Sequence, residues 1–111
     1  MTKQIVLIEI TGRRWRQRTY GNTYHSAAWR VIHNDGSVID GRVPFSYGYD
    51  SQYLITAWHD LVDAGALAAA GQDADTVADM RETHPRLAAE SIGARLDYSA
   101  IDVTRKRDLA A

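Results

Sequence analysis

The sequence predicts a single small α+β domain, a mainly antiparallel sheet of about four strands with one main helix packed on one face. Three observations predict it. The chain has 111 residues, enough for one hydrophobic core and too few for two. Several short runs rich in β-branched residues are separated by turn residues, as in Ile5–Ile10 and in the stretch around Val31. One segment alone, from Tyr53 to Val62, repeats its apolar residues at helical spacing.

Taken in order, residues 3–10 form a buried strand of Ile5, Val6, Leu7, Ile8 and Ile10, with Gly12 ending the run. Residues 23–33 form a second strand and residues 37–43 a third, joined at His33-Asn34-Asp35-Gly36-Ser37. Register decides the turn. A type I turn with Gly36 in a left-handed bulge pairs His33 with Ser37, which sets Val31 opposite Ile39, Trp29 opposite Gly41 and Ala27 opposite Val43. That register gives one clean apolar face and an Arg30–Asp40 cross-strand pair on the other. A two-residue Asp35-Gly36 loop would put Trp29 opposite Arg42, so the bulged turn is expected. Pro44 ends the third strand because it cannot donate to a ladder.

Asp50 or Ser51 caps the main helix, expected over Ser51–Ala64 and stopped by Gly65. Trp29, Val31, Ile39, Leu54, Trp58, Leu61 and Val62 are expected to meet in the core. Residues 65–75 read as a loop, residues 76–83 as a short helix capped by Asp75, and Pro85 as the first turn of a helix ending near Ile92 at Gly93. Residues 95–104 read as a last strand with a bulge near Ser99-Ala100, since Leu96 and Tyr98 share one phase and Ile101 and Val103 the other. The tail from Arg105 is polar and expected to fray.

Composition narrows the function. There is no cysteine, so disulfides, thiolate metal sites and a cysteine nucleophile are excluded. No apolar run approaches the length of a membrane span, and the N-terminal segment reads as a strand rather than a leader. The net charge of −1 is unevenly spread: residues 1–49 carry seven basic and three acidic side chains (+4), and residues 50–111 carry six and eleven (−5). A partner that seeks positive charge meets the first half.

The stretch from Arg13 to His25 is the expected working surface. Arg13, Arg14, Arg16 and Arg18 supply planar forks for phosphate, Trp15, Tyr20 and Tyr24 supply rings, and Asn22 after Gly21 can form a turn that exposes backbone N–H groups. Rings that stack on bases contribute about 1–3 kcal/mol each. The competing reading is a solvated basic turn whose Trp15, Tyr20 and Tyr24 fill the core. Tyr47 and Tyr49, flanking Gly48 just before the main helix, are added as ligand-binding candidates, against a purely structural aromatic corner. None of the four histidines, His25, His33, His59 and His84, stands at metal-ligand spacing, so no metal and no cofactor is expected. His25 is the one weak catalytic candidate, lacking a visible acid or base to pair with. No phosphate loop, GxSxG elbow or HExxH motif is present.

The series Arg14-Trp15, Gly21-Asn22-Thr23-Tyr24-His25-Ser26, Pro44-Phe45-x-Tyr47-Gly48-Tyr49 and Thr104-Arg105-Lys106-Arg107-Asp108-Leu109 resembles a group of small uncharacterised phage and prophage proteins. The resemblance covers residues 13–62 best. It implies a protein of the bacterial cytoplasm, with a host component as a partner. The resemblance carries no activity; the basic aromatic stretch makes the expected function non-enzymatic binding of nucleic acid or a nucleotide. The rival is a protein–protein module that inhibits a host defence protein, and a third reading is a small hydrolase or nuclease using His25. No membrane partner is expected.

Overall fold

The computed structural model describes residues 3–110. Strands β1 (Ile5–Arg16), β2 (Thr23–His33) and β3 (Val38–Tyr47) are followed by helices α1 (Gln52–Asp63), α2 (Ala66–Ala69), α3 (Ala74–Arg81) and α4 (Pro85–Ser91). Strand β4 (Arg95–Val103) and a 3₁₀ turn (Lys106–Leu109) complete the order. The four strands form one sheet in the order β3-β2-β1-β4, antiparallel except for the parallel β1–β4 pair. A parallel pair cannot be joined by a hairpin, and the helical segment between β3 and β4 makes the return.

The helices lie on one side of the sheet, here called the helix face. Ile8 and Ile10 of β1 and Trp29 and Val31 of β2 are buried there with Leu54, Ala57, Trp58 and Leu61 of α1. The 3.6-residue spacing on α1 meets the two-residue spacing on the strands, which is the physical content of the sequence pattern. Both buried indoles find acceptors: Trp29 Nε1 donates to Asp60 at 2.7 Å and Trp58 Nε1 to the Met80 carbonyl at 3.0 Å.

The β2–β3 hairpin has the bulged turn. His33 N–H donates to the Ser37 carbonyl at 2.9 Å, Gly36 has φ +86°, and Val31 faces Ile39, Trp29 faces Gly41 and Ala27 faces Val43. Arg30 stands opposite Asp40 in register, yet its ion pair runs to Glu9 on the other side at 3.6 Å.

Several expectations are corrected. β1 does not stop at Gly12 but runs to Arg16, because that glycine lets the Tyr53 ring lie against the strand; a Cβ there would collide with the ring. β3 does not stop at Pro44. It is the edge strand, and the Pro44-Phe45 step is absorbed as a bulge opposite Ser26. Ile39 is 37% exposed on that edge and lies outside the core. Residues 66–69 are helical, α3 is capped by Asp73 rather than Asp75, and neither Asp50 nor Ser51 gives α1 a side-chain cap. β4 keeps an unbroken register with β1, so no bulge forms; its two apolar phases serve the two faces of the sheet. The tail is not frayed through Leu109, which is buried, with its carbonyl accepting from Ser26 Oγ at 2.7 Å.

Candidate functional site: a basic, aromatic end of the sheet

The segment Arg13–Arg16 is β-strand, so its side chains alternate between faces. Arg14 and Arg16 point to the helix face, beyond the end of α1. Arg13 and Trp15 point to the opposite, open face. The predicted site residues thus share one end of the sheet and divide between its two sides.

On the open face the rings form a row. Trp15 is opposite Tyr24, and Tyr24 is opposite Tyr47. Trp15 and Tyr24 stack with centroids 5.8 Å apart and planes at 26°, Tyr24 and Phe45 stack at 4.9 Å and 21°, and Tyr47 meets Tyr24 edge-on at 5.5 Å. These spacings follow the distance between strands, since Trp15 stands on β1, Tyr24 on β2, and Phe45 and Tyr47 on β3. Phe45 is 46% exposed and Tyr47 66%, while Trp15 and Tyr24 are half-buried. The 3₁₀ turn packs beside the row. Arg13 donates to the Asp108 carbonyl at 3.0 Å, and the Lys106 ammonium lies 5.2 Å from the centre of the Phe45 ring.

Trp15, at the β1 end of the row, lines an open depression of about 560 Å³ with Arg18 of the β1–β2 turn and with Arg105 and Lys106 of the tail. Among the described residues no carboxylate lies within ion-pairing distance of Arg16, Arg18, Arg105 or Lys106. Unpaired cations around an aromatic side chain leave both the charge and the ring available to a ligand.

On the helix face a second cleft of about 380 Å³ is lined by Arg14, Arg16, Tyr49 and Asp102 among others. Arg14 is held there on three sides. Its Nε pairs with Asp102 at 2.9 Å, its NH1 donates to the Asp50 carbonyl at 3.2 Å, and its guanidinium sits 5.3 Å from the Tyr49 ring centre. Arg14 and Tyr49 are therefore already engaged with each other, and Asp102 adds a negative charge that repels an anion.

The remaining predicted residues fall into place individually. Tyr20 is 74% exposed at the turn and packs into no aromatic pair. Asn22 closes the β1–β2 turn through its backbone, its carbonyl accepting from Gln17 N–H at 2.7 Å, with Gly21 at φ +73°. His25 is corrected as a catalytic candidate. It is fully buried on the helix face, with Nδ1 3.1 Å from the Gly48 carbonyl and Nε2 2.8 Å from the Thr56 hydroxyl. The carbonyl can only accept, so Nδ1 carries the hydrogen and Nε2 accepts from Thr56. Burial holds its pKa below the usual histidine value, keeping the ring neutral, and neither nitrogen is free to touch a substrate.

Three contributors escaped the sequence reading: Phe45, Arg105 and Lys106. The signal for Phe45 was its position beside an edge-strand proline, where a bulge turns a side chain. For the tail the signal was Leu109, an isolated apolar residue at the end of a basic run.

Comparison with protein families and with curated proteins gives no match. Among solved structures the chain is similar to RNase H1 from the halophilic archaeon Halobacterium salinarum NRC-1, at 13% identity and a TM-score of 0.39, over 95% of this chain and 91% of that one. A likeness that weak carries no argument about this chain's activity. No described helix is long and apolar enough to cross a membrane, and no described group of acidic or histidine side chains clusters as a metal site would.

Proposed function

We propose that the protein binds single-stranded nucleic acid at the basic end of its sheet, without catalysing a reaction there. One observation carries the reading: Trp15 ends a row of rings on the open face and lines a depression with Arg18, Arg105 and Lys106, none paired with a described carboxylate. Unpaired strands need that combination, because every base has a face to stack and every nucleotide a phosphate to neutralise. A duplex hides its base faces and would use only the cations. Arg16 also lines the depression, which brings the cations there to four.

Binding of a fluorescently labelled oligothymidylate, followed by anisotropy against salt, tests the proposal. With four phosphates neutralised, log K should fall with log salt at a slope of about −3, at ~0.7 per phosphate for single strands. The double variant Arg16→Ala with Arg18→Ala should halve that slope. Affinity that is independent of salt, or unchanged in the double variant, overturns it. A phage-type origin and a host-protein partner rest on the sequence pattern alone. A protein that ignores oligonucleotides yet retains a salt-insensitive host partner would favour that rival.

A further inference from the structure

Strand β3 is an edge of the sheet, and nothing described in the chain covers its outer side. The side chains along it read Val38-Ile39-Asp40-Gly41-Arg42-Val43-Pro44, a sequence that is complementary to itself about Gly41. Laid antiparallel on a second copy with Gly41 opposite Gly41, the strand places Asp40 against Arg42, Ile39 against Val43 and Val38 against Pro44.

The backbone agrees with that register. His33 N–H donates to the Ser37 carbonyl, and the β2–β3 ladder then runs without interruption through Val31–Ile39 and Trp29–Gly41 to Ala27–Val43. In an antiparallel ladder alternate residues turn their N–H and C=O groups the same way. Residues 37, 39, 41 and 43 therefore bond to β2, and residues 38, 40, 42 and 44 face outward. Asp40 and Arg42 are the outward residues that would exchange hydrogen bonds across a two-fold axis at Gly41. Pro44, with no N–H to offer, falls at the end of the seam.

The charges agree as well. Asp40 has no ion-pair partner among the described residues, because Arg30, opposite it in register, pairs with Glu9. Arg42 has no carboxylate partner among them, and one of its nitrogens donates to the Ala110 carbonyl at 3.2 Å. Both side chains lie on the open face, beside the edge. Val38 and Ile39, 43% and 37% exposed, are the apolar residues that a second strand would cover. The helices do not obstruct the approach. Four consecutive strands, β2-β3-β3-β2, set the two β2 strands roughly 14 Å apart at about 4.8 Å per strand, and helices pack at about 8–10 Å.

We infer that β3 is a homodimer interface, pairing antiparallel with β3 of a second copy about Gly41 to make a continuous eight-stranded sheet, with Asp40 of each copy against Arg42 of the other. The two-fold sets the basic end of each copy beside the partner's His33–Ser37 turn, so the two ends lie far apart on the dimer.

Sedimentation velocity over a concentration series tests this on the full chain. The wild-type protein should sediment as a dimer. Asp40→Arg and Arg42→Asp, which each put like charges face to face twice across the axis, should each raise the dimer dissociation constant on the order of tenfold or more. The charge-swapped double variant, D40R with R42D, restores opposite charges and should restore the dimer. Unchanged circular dichroism verifies that each variant is folded. A wild-type monomer at every concentration overturns the inference. So does a dimer indifferent to either single change, or a double variant no better than the singles.

Discussion

Trp15 and Arg14 are neighbours in sequence and stand on opposite faces of the sheet, and that alternation decides which side chains can meet one ligand. Trp15 joins Tyr24, Phe45 and the cations of the tail, whereas Arg14 is engaged by Asp102 and Tyr49 behind the sheet. Trp15→Ala should therefore weaken oligonucleotide binding by about 1–3 kcal/mol, the worth of one stacked base, and should lower thermal stability less than truncation of the fully buried Trp58, because the Trp15 ring is half-buried; binding and melting of the same preparation verify both. Arg14→Ala should affect affinity far less than Arg18→Ala, a contrast that depends on Arg14 being engaged by Asp102 and Tyr49. His25 makes a prediction about stability instead. Its folded pKa lies below the unfolded value of 6.5 because burial penalises the charged ring. The unfolded chain then binds more protons in this range, so stability rises with pH. His25's contribution is complete above pH 6.5 and is lost as pH falls below 6.5 toward its folded pKa. Melting curves from pH 7.5 down to pH 5 should show the decline, and His25→Asn, neutral throughout, should flatten that part of it. At this scale the sequence made the type of surface legible. It could not show which rings face outward, because a strand and a turn place Trp15 and Tyr24 differently and Gly12 was read as the boundary between them.

The elements explain why that boundary was misplaced. Glycine in a strand marks either an end or a close approach, and here Gly12 is the place where Tyr53 of α1 lies flat on β1. Gly12→Ala should destabilise the fold by about 1–3 kcal/mol through overpacking, and chemical denaturation measures it. Gly41 plays the same part under the Trp29 indole, so an alanine there should cost a similar amount. The hairpin between β2 and β3 was legible down to its register, because the bulged register sets Gly41 and Ile39 rather than Arg42 and Asp40 opposite Trp29 and Val31, and because Asp35-Gly36 supplies a residue able to adopt a positive φ. Helix α1 was legible for the same reason, a single strong period. The short helices were not: Ala66–Ala69 and Ala74–Arg81 carry few large apolar residues, and their positions are set by what they cover, as when the Met80 carbonyl accepts from Trp58.

Across the whole molecule, the uneven charge of the sequence becomes a basic end only in part by the route expected. The first half supplies Arg16 and Arg18, but Arg105 and Lys106 come from the otherwise acidic second half, carried there by the parallel strand β4 and anchored by Leu109. Leu109→Ala should loosen the tail and weaken nucleic-acid binding while leaving the sheet intact, a result that amide hydrogen exchange at residues 104–110 can localise. That long-range convergence was not legible, since nothing local relates residue 105 to residue 15. The account rests on bases stacking at one ring, and the molecule supplies a reporter for it. Trp29 and Trp58 are buried, at 3% and 0% exposure, so Trp15 is the tryptophan that a ligand can reach. Titration with an oligothymidylate at low salt should quench the tryptophan emission and saturate, and Trp15→Phe should abolish the quenching while binding measured by anisotropy persists. Oligothymidylate binding that leaves the wild-type emission unchanged would contradict the account.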